Sequence, residues 1–404
     1  MIERFIEDIF TSEDFDKQMR FLAGPRRSGK TFIAKNFLNA VHCENLYYNW
    51  DIKNVRQRYI KDQDFYLNDI NKGKKDIWIC FDEIHKVKKW KNILKEHFDK
   101  NEDKNIKTIV TGSARLDLFR KAGDSLAGRY FLFHLYPLIL SEISKRKSVV
   151  NDLNLSAEDF VKKRLEQDSN EDEFEMLFKF SGFPEPLING KETFHNKWKD
   201  DYIEKLIYED LREISQIKDL DKITELILTL PNKVGSLLSV NSLREDLEIS
   251  FETVKNYLRA LELVYALFFI KPYTKKISRT IKKENKVYFF DWTRIENPGV
   301  RFENYVACEL KALTSLWSDA GYGKADVFFV RTKDGKETDF LIIKENKPWI
   351  LFEVKLSSQE IENHHFNLAK HLGEIPVVQI VKERNVLQKI RDRNGYIVSA
   401  DRFF

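Results

Sequence analysis

The sequence has little cysteine and no long apolar run, and these two shortages set the first limits on its class. Three cysteines occur among 404 residues, at Cys43, Cys80 and Cys308. Their wide spacing favours neither a disulfide framework nor a zinc site. No apolar run approaches the roughly 18 residues that span a bilayer, and the first eight residues are too acidic for a signal peptide. We therefore expect a cytoplasmic protein without a membrane-spanning segment.

A large excess of charge of one sign is also missing. The chain has 68 Lys and Arg against 64 Asp and Glu, a net charge of +4. A balance this close does not by itself indicate a nucleic-acid partner. Hydrophobic residues make up 42% of the chain and aromatic residues 13%, which is typical of a globular protein. The length predicts about two to four domains with ample core.

Residues 24–31 form a complete phosphate-binding loop with the pattern G-x-x-x-x-G-K-[ST]. Its glycines let the backbone fold tightly and direct N–H groups at a polyphosphate. Lys30 can reach the β- and γ-phosphates, and the Thr31 hydroxyl suits Mg²⁺. The motif predicts ATP and Mg²⁺ as ligands. The expected nucleotide-binding residues are Gly24, Pro25, Arg26, Arg27, Ser28, Gly29, Lys30 and Thr31.

An acidic pair follows a buried-type strand and supports the loop. The apolar run 77–81 ends in Asp82 and Glu83. Open α/β sheets bind ligands at the carboxyl ends of their strands. We therefore expect Asp82 to hold Mg²⁺ together with Thr31, and Glu83 to act as the base that orients the attacking water. The alternative is a solvated acidic pair that opens a loop.

A third strand, 108–113, ends in small polar residues. Ser113 or Thr111 could contact the γ-phosphate, and we take Ser113 as the candidate. Strand ends often carry Ser or Thr, so an ordinary strand end explains these residues equally well.

Residues 1–145 alternate strands and helices, the pattern of a parallel sheet covered by helices.

The middle of the chain predicts helices followed by a helix-turn-helix. After a mainly helical stretch, residues 240–247 and 251–261 predict two short helices, with Ser250 capping the second. A strand and a hairpin that ends near Asp291 complete a winged helix.

This hairpin is strongly basic. Such a wing beside a recognition helix suits contact with the DNA backbone. The alternatives are a structural lid and a merely soluble hairpin. The basic residues are Lys271, Lys275, Lys276, Arg279, Lys282, Lys283 and Lys286.

Residues 325–356 predict three consecutive strands that carry a further constellation. Glu353 and Lys355 share one face of the last strand, because strand side chains alternate. Asp339 comes from the strand before it, so the two carboxylates can converge on one divalent metal, with Lys355 polarising water or phosphate. Glu303, on the preceding helix, is a further acid. The alternative is an ordinary amphipathic sheet with charged outward positions.

Together these motifs resemble the prokaryotic AAA+-type ATPases that carry an uncharacterised C-terminal domain with a restriction-endonuclease-like signature. The resemblance covers nearly the whole chain. It rests on Gly24–Thr31, Phe81–His85, Trp90, Thr111–Ser113, Ala127–Arg129, Leu135–Leu138, Glu142, Gly182–Pro186, Tyr288–Asp291, Phe302–Asn304, Glu337–Phe340 and Phe352–Ser357.

The resemblance implies an α/β fold with four parts. These are a P-loop ATPase core with a parallel sheet (1–145), a helical lid (146–230), a winged helix (231–295) and a PD-(D/E)XK-type domain (296–404). Arg129 matches the family's Gly-Arg position and would contact phosphate in cis, or in trans within a homo-oligomer, or else form a structural ion pair. The expected function is ATP hydrolysis coupled to a domain that binds or cleaves nucleic acid. The alternative is a nucleotide-dependent switch whose C-terminal domain binds a protein.

Overall fold

The structure is a computed structural model. It describes residues 2–71, 73–101, 105–112, 126–146, 149–212, 217, 219–274 and 284–404. Some predicted site residues lie outside these ranges: Ser113, Lys275, Lys276, Arg279, Lys282 and Lys283.

The N-terminal sheet has five strands, all parallel, in the order β2-β3-β4-β1-β5. The strands are β1 (Met19–Ala23), β2 (Tyr47–Asn49), β3 (Ile77–Asp82), β4 (Ile106–Thr111) and β5 (Tyr130–His134). Strands β1 and β3 are buried along their whole length, because helices cover both faces of a parallel sheet. The carboxyl ends of β3, β4 and β1 therefore lie side by side, and the parallel-sheet prediction is confirmed.

Helices surround this sheet. They are α1 (Phe5–Phe10), α2 (Lys30–Ala40), α3 (Lys53–Lys61) and α4 (Trp90–Asn101). Helix α2 starts directly after the phosphate-binding loop and buries Ile33, Ala34 and Leu38. Because that apolar stripe packs on β3 and β4, the N-terminus of α2 is held at the carboxyl edge of the sheet.

Mainly helical structure follows the sheet, as the sequence predicts. The helices are α5 (Leu140–Ile143), α6 (Ala157–Leu165), α7 (Glu171–Phe180), α8 (Pro184–Asn189), α9 (Glu192–Lys205) and α10 (Leu220–Thr229). Helix α9 continues into a π-helical turn, Leu206–Leu211. We call α8, α9 and this turn the lid helices. Among the described residues, no helix is long and apolar enough to cross a membrane.

Two helices and a strand pair lie where the helix-turn-helix and hairpin were expected. They are α11 (Val240–Leu247), α12 (Phe251–Leu263), β6 (Leu267–Pro272) and β7 (Lys286–Phe289). The Ser250 side chain accepts from the Thr253 N–H at 3.1 Å, so the predicted N-cap is present. Strand β6 also pairs in parallel with β8 of the next domain. The described hairpin strands therefore form the edge of the C-terminal sheet.

The C-terminal sheet has eight strands in the order β12-β13-β11-β10-β9-β8-β6-β7. Its remaining elements are α13 (Pro298–Asp319), β8 (Ala325–Arg331), β9 (Glu337–Lys344), β10 (Lys347–Lys355), α14 (Asn363–His371), β11 (Val377–Val381), β12 (Leu387–Lys389), β13 (Gly395–Ser399) and α15 (Ala400–Phe403). The three strands predicted within 325–356 are β8, β9 and β10. Antiparallel pairing of β9 and β10 sets Phe340 opposite Phe352, which brings Asp339 and Glu353 close together.

Candidate nucleotide site

Two glycines allow the phosphate-binding loop to turn tightly against the sheet. Gly24 has φ +151°, and a Cβ at this position would overlap the backbone oxygen of Leu135. Gly29 has φ +105° and caps the N-terminus of α2. Glycine is the residue that adopts such angles readily. The loop therefore leaves the first N–H groups of α2 facing the cavity in front of it, where an anion is favoured.

Lys30 is buried at the base of the loop. Its Nζ donates to the backbone oxygens of Gly24 at 2.9 Å and Pro25 at 2.6 Å. Burial lowers the pKa of Lys30, while the charges of Glu83 and Asp82 oppose that shift. The ammonium is thus positioned within the loop, in a site where a negatively charged ligand would stabilise it.

Asp82 lies at the carboxyl end of β3 and accepts hydrogen bonds from three hydroxyls. Thr31 Oγ1 donates to its Oδ2 at 3.0 Å. The Tyr47 hydroxyl also bonds Oδ2, and Thr111 Oγ1 bonds Oδ1. These contacts fix the carboxylate beside the loop. Tyr47 was missed by the sequence reasoning, although its strand, β2, is the parallel neighbour of β3.

Glu83 follows Asp82 with a left-handed backbone, φ 59°. Its N–H donates to the Thr111 backbone oxygen at 3.0 Å, which anchors the turn. Burial raises the pKa of Glu83 to about 7, helped by the charge of Asp82 and opposed by that of Lys30. His85 Nε2 lies 3.3 Å from Glu83 Oε2. The sequence reasoning missed this histidine as a partner, although it lies only two residues further on.

A cavity of about 750 Å³ lies in front of Lys30, Thr31 and Glu83, whereas Asp82, which Thr31 contacts, is not part of its lining. That volume falls within the range of small-molecule sites. Its charged lining includes Lys30 and Glu83. Its apolar lining comprises Ile2, Phe32, Ile33, Leu138, Pro184 and Ile188. The cavity therefore offers charged groups for a polyphosphate and apolar groups for a flat base.

The two arginines of the loop bind the lid helices. Arg26 pairs with Glu209 at 2.5 Å and with Asp210 at 2.9 Å. Arg27 Nη2 lies 2.6 Å from Asp201 Oδ2. No sequence motif indicated these acidic partners, which are more than 170 residues away along the chain.

Arg129 forms an ion pair within the core. Its Nε lies 2.7 Å from Asp99 Oδ1, on the surface of α4, and Arg129 is not among the residues that line the cavity. Of the roles left open by the sequence, the structure shows the structural ion pair. A contact with phosphate, in cis or in a neighbouring subunit, stays a prediction.

The structure brings the predicted acids of the C-terminal domain together, but around Lys286. Lys286 Nζ lies 2.6 Å from Glu337 Oε1, 3.3 Å from Glu303 Oε1 and 3.9 Å from Asp339 Oδ1. Its side chain is 1% exposed. The interpretation of Lys286 as a basic residue of a DNA-contacting hairpin is therefore wrong, because its charge is enclosed by carboxylates.

The remaining residues of this constellation are also paired. Lys355 Nζ lies 2.7 Å from Glu353 Oε1, and His365 Nε2 lies 3.7 Å from Glu353 Oε2. Burial raises the pKa of Glu303 and of Asp339 to about 7. Within the described ranges, no three His, Cys, Asp or Glu residues are grouped so that they could hold a metal ion. The predicted metal ligands Asp339 and Glu353 thus share their surroundings with two lysines.

Family models match three segments of the chain. Residues 16–144 match the family model described as AAA domain. Residues 171–293 and 298–399 match two domains of unknown function, DUF8612 and DUF4143.

Similar proteins cover most of the chain. An uncharacterised protein of Methanocaldococcus jannaschii is 26% identical over 362 residues, covering 85% of this chain and 77% of that protein. An uncharacterised protein of Haemophilus influenzae is 23% identical over 389 residues, covering 89% of each chain.

Solved structures with a distant likeness include the Aeropyrum pernix Orc1 protein in complex with DNA. The TM-score is 0.33 with 10% identity, over 72% of this chain and 86% of that one. The replication initiator DnaA bound to AMPPCP and single-stranded DNA has a TM-score of 0.31 with 16% identity, over 64% and 86% of the two chains. The phosphate-binding loop and the parallel sheet lie on the same segment, residues 16–144, that matches the AAA domain model.

Proposed function

We propose that the protein binds ATP with Mg²⁺ and hydrolyses it, as an ATPase of AAA+ type. The observation that carries the proposal is the hydrogen bond from Thr31 of the loop to Asp82 at the end of β3, at 3.0 Å. It joins the phosphate-binding loop to the acidic strand end, with Lys30 and Glu83 in the same cavity. Loop, cation, acid and base are therefore available to one triphosphate.

The residues present fit a magnesium ion. Mg²⁺ prefers hard oxygen ligands and is usually held by one or two carboxylates together with phosphate oxygens. The Asp82 carboxylate and the Thr31 hydroxyl supply such oxygens, and Asp82 is held in place by Tyr47 and Thr111. When bound, the ion would neutralise charge that develops on the phosphates.

The remaining chemistry is assigned to Glu83 and Lys30. Glu83 accepts a proton from water as the water oxygen attacks the γ-phosphorus, and the bond from that phosphorus to the β–γ bridging oxygen breaks. The products are ADP and phosphate. A base with a pKa of about 7 is suited to this step near neutral pH. Lys30 stabilises the phosphate charge, exchanging its bonds to loop carbonyls for bonds to phosphate oxygens.

The test is phosphate release by the purified full-length protein with ATP and Mg²⁺, alongside calorimetric binding of a non-hydrolysable ATP analogue. We expect wild type to bind and to turn over, and Glu83→Gln to bind without turnover. Failure of wild type to bind any nucleoside triphosphate would overturn the proposal. Binding without hydrolysis in wild type would support the alternative, a nucleotide-dependent switch.

For the C-terminal domain we propose that it binds nucleic acid and does not cleave it. The observation that favours this is the Lys286 ammonium among Glu303, Glu337 and Asp339, since a cation already compensates these carboxylates. A metal-dependent nuclease that uses Asp339, Glu353 and Lys355 is the alternative. Cleavage of DNA or RNA by wild type in Mn²⁺, abolished by Glu353→Ala, would decide for the nuclease.

DNA is the ligand proposed for the basic segment 271–286, with Lys286 now removed from the set. The remaining six basic residues could neutralise several phosphates, and each phosphate neutralised steepens the salt slope by about 0.9. The test replaces Lys275, Lys276, Lys282 and Lys283 with Glu and measures duplex affinity at several salt concentrations. Unchanged affinity would remove the hairpin from DNA binding.

ATP hydrolysis measured with and without DNA is a second test. Hydrolysis stimulated by DNA would support a DNA-coupled ATPase, and hydrolysis indifferent to DNA would favour a protein partner.

A further inference from the structure

Arg26 connects the phosphate-binding loop to the π-helical turn of the lid. Its guanidinium lies 2.5 Å from Glu209 Oε2 and 2.9 Å from Asp210 Oδ1. Both acids belong to Leu206–Leu211, and single π-helical turns within helices frequently mark functional sites. The Asp210 side chain is 11% exposed and, like Arg26, lines the nucleotide cavity. A carboxylate is thus built into a cavity whose proposed ligand is an anion.

The charges of this pair act on the position that the phosphates would occupy. Among the groups that shift the pKa of Lys30, after burial, Glu83 and Asp82, are Asp210 and Arg26. A triphosphate bound at Lys30 would therefore be repelled by Asp210 and attracted by Arg26. It would also compete with Asp210 and Glu209 for the same guanidinium, since arginine forms paired hydrogen bonds with phosphate as readily as with carboxylate.

We propose that Arg26 is a nucleotide-sensing residue, which a bound triphosphate withdraws from Glu209 and Asp210 so that the π-helical turn is released. The proposal rests on ATP being the ligand of the site. Its consequence is that ATP binding is linked to the position of the lid helices through one side chain. By reciprocity, weakening the hold of the lid on Arg26 tightens ATP binding.

The lid helices also contain a buried hydroxyl. The Tyr202 hydroxyl, on α9, is buried and forms no hydrogen bond within the part of the chain that the structure describes. Burial raises the pKa of Tyr202, and the charge of Asp210 raises it further.

The chain offers a matched control in the second arginine of the loop. Arg27 pairs with Asp201 of α9 at 2.6 Å, a distance similar to those of Arg26. Asp201, unlike Asp210, does not line the cavity. Asp201→Asn thus removes a loop-to-lid ion pair of the same kind without changing the charge that faces the phosphates.

The experiment measures Kd for a non-hydrolysable ATP analogue and for ADP in full-length wild type, Asp210→Asn, Glu209→Gln and Asp201→Asn. We expect Asp210→Asn and Glu209→Gln to bind the ATP analogue at least about fivefold more tightly, the lower end of typical couplings between sites. Asp201→Asn should change the affinity less than either of these variants. Glu209 is half exposed, so its variant tests the competition without disturbing a buried side chain.

Hydrogen exchange of a peptide covering residues 199–211 provides a second measurement. The ATP analogue should increase exchange there in wild type, and Asp210→Asn should show the increase without nucleotide. Equal affinities in wild type, Asp210→Asn and Glu209→Gln, with exchange insensitive to the analogue, would overturn the sensing role and leave the ATP site standing. Absence of ATP binding in wild type would instead overturn the ATP site itself.

Discussion

The ammonium nitrogen of Lys286 lies 2.6 Å from Oε1 of Glu337, and the lysine side chain is almost completely enclosed. Burial opposes a charge on Lys286, but the carboxylates of Glu303, Asp339 and Glu337 outweigh it and raise the lysine's pKa. The lysine begins β7, whereas Glu337 and Asp339 belong to β9 and Glu303 to α13. The ion-pair network therefore joins the hairpin to the C-terminal domain.

Replacement of Lys286 should destabilise the protein strongly. We expect Lys286→Met to lower the free energy of unfolding by about 3–5 kcal/mol, because carboxylates would remain buried without their cation. Urea unfolding measures the change, with Lys271→Met as the control, since Lys271 is exposed on the neighbouring strand. Mn²⁺ should stabilise Lys286→Met more than it stabilises wild type. Equal stability of the two lysine variants would contradict the enclosed position of Lys286.

Separate roles are expected for Lys30 and Glu83. Lys30→Ala should weaken ATP binding, because the ammonium meets phosphates already in the ground state. Glu83→Gln should keep affinity within a few-fold and reduce turnover by about 10²–10⁴-fold, the usual contribution of a general base. Calorimetry and steady-state phosphate release measure the two effects. The exposed Lys100→Ala serves as the control. Full turnover in Glu83→Gln would remove Glu83 from the mechanism.

Tyr47 should matter for the use of Mg²⁺. Tyr47→Phe removes a hydroxyl that donates to the Asp82 carboxylate. Hydrogen bonds to charged groups contribute about 1.5–3 kcal/mol, so we expect the Mg²⁺ concentration for half-maximal turnover to rise about tenfold or more. The adjacent Tyr48→Phe is a matched control, since the Tyr48 hydroxyl bonds Asp69 at 2.8 Å. The same Mg²⁺ dependence in both variants would show that Tyr47 does not position Asp82.

Turnover should depend on pH through Glu83. Its pKa of about 7 means that the carboxylate form, which can accept a proton, is lost as pH falls through 7. We expect kcat/KM to decline about tenfold per pH unit below that value, as for an essential base. Glu83→Asp should keep the decline of kcat/KM at acidic pH.

The contribution of Glu83 to stability should change with pH in the direction opposite to its effect on turnover. Folding raises the pKa of Glu83 from 4.5 to about 7. The contribution of Glu83 to the free energy of unfolding is therefore fully present below pH 4.5 and is lost as pH rises through 7. The pH dependence of unfolding free energy in wild type and Glu83→Gln isolates this contribution.

A flat profile of kcat/KM between pH 5.5 and 8 would contradict the assignment of Glu83 as base.

Much of the candidate nucleotide site could be predicted because its parts are local in sequence. The loop from Gly24 to Thr31 is a contiguous motif, and Asp82 ends a strand whose apolar residues are themselves consecutive. Parallel packing then brings strand ends together at one edge, which needs no knowledge of distant contacts. The alternating pattern of 325–356 likewise predicted β8, β9 and β10.

Partners contributed by distant segments could not be predicted. Tyr47 reaches Asp82 only through the pairing of β2 with β3, and Arg26 meets Asp210 only when the lid helices fold back onto the loop. Lys286 shows the same limit most clearly. In the sequence it is one of seven basic residues in a hairpin, and nothing local distinguishes it from its neighbours.

The sequence alone determined the phosphate-binding loop, the acidic strand end and the order of strands and helices, because these depend on neighbouring residues and on local periodicity. Only the tertiary structure decided which charges are compensated. Burial makes an unpaired charge costly, so the enclosure of Lys286 by Glu303, Glu337 and Asp339 determines how that cluster behaves. Electrostatic energy depends on distance and solvent exposure, and both are properties of the folded chain.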